Sequence, residues 1–346
     1  MKACILRGPL DLTIKQTVQN QLGPQEVEVK MASAGICGSD IYYYRTGACG
    51  DFKIVEDFVP GHEASAYIFK TGAEVTHLKT GQLVAINPSD ACGKCEFCLS
   101  DRANLCTDNL FAGSASRIPH TRGMMQEHFI VHQRQCVEIT TDVKPGILAF
   151  AEPLSVALHA INRAGGVDGK TVLITGGRTI GLLTAIAAKA LGAKRVVVSD
   201  PSDFARETAH KVGVDVVINS LNAADHEKYF SDETQFDVAF EASGSSYAFD
   251  NCLQALHRRG SLIQIGTLIS AEGPKLCNLI MVKEIQVIGA FRFDKEFTQS
   301  VQMLETGMVD VAPLLTKQFP ISQAADAFKL ALDVNSSTKV QITCDD

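Results

Sequence analysis

Four cysteines lie close together in the chain, at Cys92, Cys95, Cys98 and Cys106. Small, polar and charged residues separate them, which is typical of a surface loop. Zinc prefers soft thiolates in a closed tetrahedral shell, and a CxxC turn can direct two sulfur atoms at one point. A disulfide cluster and free thiols are the alternatives, but a reducing compartment and this spacing favour a metal. Four thiolates leave no open position, so this zinc site would be structural and any chemistry must arise elsewhere.

A second group of metal-ligand residue types lies outside the cysteine loop. It comprises Cys37 in the sequence GICGSD, His62 and Glu63 in GHE, and Glu152 in AEP. Taken singly, each has an ordinary explanation, as a small core residue, a hydrogen-bonding loop residue or an acid at a helix start. Taken together, they would suit a zinc site that keeps one coordination position open. Their spacing alone does not decide between these interpretations.

A glycine-rich turn follows a predicted buried strand, residues 171–175, and precedes a predicted apolar helix, residues 180–191. The turn reads Gly176-Gly177-Arg178-Thr179-Ile180-Gly181, which keeps the first and third glycines of the dinucleotide-binding pattern GxGxxG. Arg178 replaces the second glycine, so its Cβ atom would crowd a pyrophosphate. Its guanidinium group could partly compensate by pairing with the phosphates.

An acid stands where a dinucleotide site usually binds the adenosine ribose. Asp200 ends the next predicted strand, and a carboxylate at this point hydrogen-bonds the 2′-hydroxyl group. The same carboxylate would repel a 2′-phosphate, so the sequence favours NAD over NADP. The alternative is a domain of this shape that binds no dinucleotide.

These motifs, in this order, resemble the zinc-dependent medium-chain alcohol and polyol dehydrogenases. The stretches that carry the resemblance are AINPSDACGKCEFC, GSASRIPH, FAEPLSVALHA, DVAFEASG and GAFRF, and it covers essentially the whole chain. It implies an α/β protein with a GroES-like, mainly-β catalytic domain and a doubly wound, parallel-sheet Rossmann domain. The expected boundaries are 1–149, completed by 292–346, for the catalytic domain and 150–291 for the Rossmann domain. Two zinc ions per chain are expected.

The resemblance assigns metal-binding roles to individual residues. Cys37 and His62 would bind the catalytic zinc, and Asp40 would hold the His62 ring in place. Glu63 would be the third ligand. Glu152 would either hold the water molecule on the metal or replace Glu63, and the sequence leaves this choice open.

The resemblance also names residues of the substrate pocket. Ser39 would bond the reacting oxygen and begin a proton relay, while Tyr43 and Arg292 would contact the substrate. Two positions depart from the family pattern. Tyr42 stands where many relatives have a relay histidine, and Met124 follows Gly123 where a second glycine is usual.

The implied reaction is hydride transfer between NAD(P) and a sugar acid or a polyol, with L-idonate as the first candidate. A sorbitol- or threonine-type substrate is the alternative, as is a catalytically weak relative impaired by Arg178. A sugar-acid carboxylate needs a cation, for which Arg292 is the first candidate. Arg117, His120 and Arg122 form a second candidate, although they also suit a solvated loop.

The elements that would position these residues change in character near residue 150. Before it, short alternating stretches punctuated by Gly and Pro predict a mainly-β domain. After it, apolar strands alternate with helices, which predicts a parallel, doubly wound sheet. The predicted strands are residues 171–175, 195–199, 214–218, 236–240, 261–265 and 285–289. Helices near 297–305 and 323–332 and a strand at 339–343 are expected to return to the first domain.

Composition limits the possible partners. The chain has 346 residues, 46% of them hydrophobic, which suits two well-filled cores. A net charge of −7 without a dense basic run argues against nucleic acid or an anionic membrane as a partner. Eleven cysteines without a signal-peptide pattern predict a cytoplasmic location. By analogy with the family, a homodimer or homotetramer is expected.

Overall fold

The computed structural model describes residues 1–18, 20–231, 236–268 and 272–344. The chain divides into two compact units. The first comprises Met1–Glu152, Phe297–Gly307 and Leu315–Asp346, and the second comprises Pro153–Glu296 and Met308–Leu314. Each unit buries an apolar core of its own.

The first unit is built mainly from short strands. Its N-terminal strands are β1 (Lys2–Gly8), β2 (Asp11–Gln16), β3 (Glu26–Gly35), β4 (Ala48–Cys49), β5 (Phe52–Lys53), β6 (Glu63–Thr71), β7 (Leu83–Ile86), β8 (Ser89–Asp90), β9 (Leu110–Phe111), β10 (His128–His132) and β11 (Cys136–Glu138). Its first helices are α1 (Gly38–Thr46), α2 (Glu96–Leu99) and α3 (Pro145–Leu148). Alternation of side chains explains β3, in which Val27, Val29 and Met31 point into the core.

The second unit alternates strands and helices. After α4 (Ala151–Arg163), they are β12 (Thr171–Thr175), α5 (Thr179–Ala190), β13 (Arg195–Ser199), α6 (Asp203–Lys211), β14 (Val216–Ile218), α7 (Ala223–Tyr229), β15 (Phe236–Glu241), α8 (Ser246–Ala255), β16 (Leu256–Gln264), α9 (Asn278–Val282) and β17 (Gln286–Gly289). The strands are parallel in the order β14-β13-β12-β15-β16-β17. This is the doubly wound order of a dinucleotide-binding sheet, with its ligand edge at the carboxyl ends of the strands.

The C-terminal part adds α10 (Glu296–Glu305), β18 (Leu315–Pro320), α11 (Ala324–Leu332) and β19 (Lys339–Thr343). Strands β18 and β19 extend the sheet of the first unit, whose order is β11-β7-β6-β3-β19-β18. The register pairs Gly35 at the end of β3 with Glu63 on one side and with Gln341 on the other. The end of β3, the start of β6 and the middle of β19 therefore meet at one place in the sheet.

Some element bounds differ from the sequence predictions. Strand β14 begins at Val216, because Gly213 has a φ of 75° and the Val214 amide still bonds to α6 at the Ala209 carbonyl. Strand β16 begins at Leu256, directly after α8, where the prediction began at residue 261. Among the described residues, no helix combines the length and the apolar content needed to cross a membrane.

Candidate metal and cofactor sites

The structure brings the four loop cysteines together. The Sγ atoms of Cys95 and Cys98 are 3.5 Å apart, and those of Cys92 and Cys98 are 4.0 Å apart. With Cys106, the four sulfur atoms all lie within 4.8 Å of one another. A tetrahedral zinc with bonds of about 2.3 Å needs sulfur–sulfur distances of about 3.8 Å. A disulfide needs about 2 Å. The arrangement therefore fits a closed zinc site, and all four cysteines are free thiols.

Backbone amides favour the thiolate form in this loop. The amide of Cys98 is the main cause that lowers the pKa of Cys95 to about 6. The amide of Lys94 likewise lowers the pKa of Cys92. The amides of Cys92 and Asp108 each donate to the Cys106 sulfur at 3.4 Å. Because the thiolate is the metal-binding form, these amides prepare the loop for a cation.

A second cluster lies where β3, β6 and β19 meet. Cys37 caps the N-terminus of α1, His62 precedes β6, and Glu63 begins it. The ligand atoms of these three residues lie within 4.8 Å of one another. Glu152, in the first turn of α4, is buried and close enough for His62, Glu63 and Cys37 to influence its pKa. Three of the four residues that the sequence predicted as a second group of ligands thus converge, and Glu152 lies outside the 4.8 Å group.

The His62 ring carries the clearest indication of a missing ligand. Its Nδ1 atom is the one buried side-chain nitrogen or oxygen, in the part of the chain that the structure describes, without a hydrogen-bond partner. The expected contact with Asp40 is 4.0 Å long, because the Asp40 oxygens accept from the amides of Gly61 at 3.0 Å and Cys37 at 2.9 Å. An unpaired buried nitrogen costs about 1–3 kcal/mol. A metal bond, or a small shift towards Asp40, would recover that energy.

The raised pKa values of two residues in the cluster indicate that a cation would stabilise it. Burial and the neighbouring Glu63 raise the pKa of Cys37 to about 12. Burial is also the main cause that raises the pKa of Glu152 to about 8. A bound divalent ion reverses both effects, since it stabilises thiolate and carboxylate. Thiolate, imidazole and carboxylate form a donor set that zinc accepts in sites with an open position, so the residues present fit the metal.

The sequence analysis did not predict one residue of this cluster, Lys339. The buried Lys339, the first residue of β19, donates to both Glu63 oxygens at 2.7 Å and 2.6 Å and to the Ile36 carbonyl at 3.2 Å. Burial lowers the pKa of Lys339, but the Glu63 carboxylate outweighs it and the pKa is raised. The lysine in the strand sequence KVQIT could have indicated a buried ion pair, although the sequence does not show which residue is its partner.

The pocket residues expected in the first unit, Ser39 and Tyr43, lie on α1, which follows Cys37 directly in the sequence. Ser39 is half-buried, and no hydrogen bond involving its hydroxyl group is present within the described ranges. Tyr43 is buried, and its hydroxyl group accepts from the Ala115 amide at 3.1 Å. The Tyr42 ring lies 5.5 Å from the Arg45 guanidinium. Ser39 stays a predicted contact for a reacting oxygen.

The cation candidates differ in their surroundings. Arg292 lies in the second unit with a left-handed backbone (φ 54°), and its guanidinium group stacks 4.8 Å from the Phe291 ring. Side-chain-bearing residues in that conformation are strained and concentrate at functional sites. His120 bonds the Arg117 carbonyl and the Val55 amide through its two ring nitrogens. His120 is therefore a structural residue, which removes it as a carboxylate-binding group.

The glycine turn has the backbone of a phosphate-binding loop. Gly176 has a φ of 101°, and a Cβ atom at Gly181 would lie 1.8 Å from the Gly176 carbonyl oxygen. Arg178 caps α5 with φ −101° and ψ −168°, an extended conformation that any residue adopts, and its side chain is exposed. Arg178 therefore leaves the turn unstrained.

Asp200 is more constrained than the sequence suggested. Its carboxylate accepts from the amides of Gly177 at 2.7 Å and Ser202 at 2.8 Å, although each oxygen keeps a further lone pair. A cation missed in the sequence stands beside it: Arg206 donates to the Asp200 carbonyl at 2.9 Å and pairs with Asp203. An arginine near this acid is the group that usually accommodates a 2′-phosphate.

Comparison with known proteins decides the family. Residues 23–141 match the alcohol dehydrogenase GroES-like domain, and residues 179–306 match the zinc-binding dehydrogenase family. The chain is 36% identical to L-idonate 5-dehydrogenase (NAD(P)(+)) of Escherichia coli K12, over 99% of this chain and 98% of that protein. The chain belongs to the zinc-dependent medium-chain dehydrogenases. A sorbitol dehydrogenase of Bacillus subtilis 168 is 31% identical to this dehydrogenase over 99% of the chain and 97% of that protein.

Comparison with solved structures agrees with this family assignment. The crystal structure of L-idonate 5-dehydrogenase from Escherichia coli K-12 matches this dehydrogenase with a TM-score of 0.92 at 35% identity, covering 99% of this chain and 97% of that one. A zinc-binding dehydrogenase from Sinorhizobium meliloti bound to NADP gives 0.89 at 25% identity, with 99% and 98% covered. The predicted family, the α/β fold class with its GroES-like and Rossmann domains, and the dehydrogenase activity are confirmed. The individual site residues and the domain boundaries stay predictions.

Proposed function

We propose that this dehydrogenase oxidises a hydroxyl group of a sugar acid, with L-idonate as the first candidate, using zinc and NAD. The convergence of Cys37, His62 and Glu63 within 4.8 Å around an unpaired ring nitrogen is the observation that carries the proposal. A polyol such as sorbitol is the second candidate, because proteins named sorbitol dehydrogenase are 31–33% identical to the chain along almost its entire length.

The metal-ligand candidates and Ser39, all in the first unit, each have a defined role in this proposal. Cys37, His62 and a carboxylate hold the zinc, which supplies the Lewis acidity that lowers the pKa of a hydroxyl group. The Ser39 hydroxyl group receives the proton of the substrate alcohol and passes it towards solvent. Burial of the site strengthens the interaction of its fixed charges with the reacting oxygen.

The residues of the second unit bind the cofactor. The amides of the turn at residues 176–181 and the start of α5 would hold the pyrophosphate, since a helix N-terminus favours an anion. The free lone pairs of Asp200 would accept the ribose hydroxyl groups. Arg206 beside Asp200 would weaken the rejection of NADP, so a preference for NAD with measurable NADP activity is expected.

The alternative, a catalytically weak relative whose cofactor binding is impaired by Arg178, has lost its main support. Arg178 was the reason to expect impaired cofactor binding, but the turn keeps its unstrained backbone around it. Tight binding of NADH to the purified protein would dispose of this alternative. The cytoplasmic location and the homodimeric or homotetrameric state stay predictions.

A substrate screen tests the proposal. Initial rates are measured with NAD and NADP on L-idonate, gluconate epimers, sorbitol, xylitol and threonine. The highest kcat/KM is expected for L-idonate with NAD. If sorbitol outperforms every acid, the sugar-acid assignment is wrong and the polyol assignment replaces it; no turnover of any alcohol together with no NADH binding would contradict the proposed function.

A further inference from the structure

A buried carboxylate lies at the ligand edge of the sheet in the second unit. Glu241 is the last residue of β15 and is 0% exposed, and no lysine or arginine pairs with it among the described residues. The amides of Ser243 and Gly244 donate to one of its oxygens at 2.8 Å and 2.9 Å, and the Ser243 hydroxyl group donates to the same oxygen. Burial raises the pKa of Glu241, and these donors oppose the rise. The carboxylate is therefore held by the turn that follows it.

This turn packs directly against the glycine turn after β12. A Cβ atom on Gly176 would lie 3.0 Å from the Ser243 nitrogen. The Ala242 amide donates to the Thr175 carbonyl at 2.9 Å. Because the two backbones are in contact, a displacement of the turn held by Glu241 would also displace the turn that is expected to bind the pyrophosphate.

The end of β16 packs on the other side of Glu241. The amides of Ile265 and Gly266 both donate to the Glu241 backbone carbonyl at 2.9 Å. A Cβ atom on Gly266 would lie 2.8 Å from the second carboxylate oxygen and would also meet the Gly244 nitrogen. Glu241 therefore lies between the ends of two neighbouring segments, and both approach it through glycine.

The strand order shows which part of a dinucleotide this carboxylate would support. The crevice for a dinucleotide opens between β12 and β15, where the order β14-β13-β12-β15-β16-β17 reverses direction. Asp200, which is expected to bind the adenosine ribose, follows β13 on one side of this point. Glu241 ends β15 on the other side, where the nicotinamide half is expected.

We propose that Glu241 is a positioning residue that fixes the strand ends beneath the nicotinamide half of the cofactor. The inference rests on the NAD site of the proposed function and goes beyond it by naming the group that shapes this site. Because Glu241 is fully buried, it acts through the backbone of Ser243 and Gly244 and not by contact with the cofactor. Loss of its charge loosens this turn and weakens binding of the nicotinamide half alone.

Glu241→Gln tests the inference with almost no change of shape. In either orientation of the amide, its NH2 group faces a backbone N–H group, because the second oxygen lies 3.2 Å from the Gly244 nitrogen. A fluorescence titration is expected to give a dissociation constant for NADH about tenfold higher than that of wild type. AMP, measured by its displacement of NADH, is expected to bind with unchanged affinity, since it occupies the adenosine half only.

Asp237 provides the matched control at the opposite end of the same strand. Its carboxylate accepts from the Thr171 amide at 2.7 Å and from the His257 ring at 3.0 Å. Asp237→Asn is expected to leave the dissociation constants of NADH and AMP unchanged. It separates the loss of a strand-end carboxylate in general from the loss of the one at the ligand edge.

Gly266→Ala supplies a second variant that keeps the charge of Glu241. Its Cβ atom would press on the carboxylate and on the Gly244 nitrogen, so it is also expected to weaken NADH binding and to spare AMP. If Glu241→Gln does not fold, this variant decides, and unchanged NADH affinity in it overturns the inference.

The remaining outcomes separate the inference from the proposed function. Equal NADH affinity in wild type and Glu241→Gln overturns the role of Glu241. An equal loss of NADH and AMP affinity, or the same loss of NADH affinity in Asp237→Asn, also overturns it, because either result would indicate general damage to the unit. A wild-type protein that binds no NADH contradicts the proposed function itself.

Discussion

At the scale of residues, the chemistry depends on a few side chains whose surroundings the sequence did not reveal. Cys37, His62, Glu63 and Glu152 were predicted as metal ligands from their motifs, because metal ligands belong to few residue types. Their bonds were not recognisable. That Asp40 binds two backbone amides, and that His62 has an unpaired nitrogen, follows only from the packed structure.

Arg178 yields a prediction at this scale. Its exposed guanidinium group at the cap of α5 stands where the cofactor pyrophosphate is expected. Arg178→Ala should weaken NADH binding about tenfold, as expected for a charge-assisted hydrogen bond, and should reduce the salt dependence of the dissociation constant. Calorimetry at two salt concentrations measures both. Tighter binding by Arg178→Ala would mean that the side chain obstructs the phosphates.

At the scale of elements, the periodicity of the sequence predicted the positions of strands, but it did not predict the local hydrogen bonds that set some of their ends. The apolar runs of β12 and β13 appear in the structure with the predicted ends, since a strand buried on both faces has a recognisable composition. Strand β14 is shorter than predicted because a helix end, not hydrophobicity, governs residues 213–215. Local hydrogen bonds of this kind leave little trace in composition.

The start of α10 supports a prediction about pH. Burial raises the pKa of Glu296, but hydrogen bonds from His159, Asn162 and the Asp294 amide outweigh it and hold the pKa at about 2. Because the folded pKa lies below the unfolded value, this carboxylate stabilises the fold above about pH 4.5, and the stabilisation disappears as the pH falls towards 2. With allowance for solvent screening, it amounts to about 2 kcal/mol.

Urea unfolding followed by circular dichroism measures this contribution. The difference in the free energy of unfolding between wild type and Glu296→Gln should be greatest near pH 7 and should shrink below about pH 4.5. Glu207→Gln is the control, because Glu207 is an exposed glutamate on α6 of the same unit. A Glu296→Gln difference that does not change with pH would refute the assignment.

At the scale of the whole molecule, the site depends on contacts between distant parts of the chain. Lys339 and Glu63 are 276 residues apart, and the register of β19 against β3 and of β3 against β6 brings them together. Alternation in KVQIT indicates which residues share a face, but not which strand they will meet. The family and fold class were therefore predictable from motifs, whereas the lysine that holds Glu63 was not.

Zinc content per chain tests the central claim most directly. By elemental analysis, wild type is expected to hold two zinc ions, and Cys37→Ser should hold one while its circular dichroism spectrum stays native. Cys98→Ser, by contrast, should lose the order of the cysteine loop, because a structural zinc contributes directly to folding. A single zinc in wild type, or an unchanged pair in Cys37→Ser, would contradict the account.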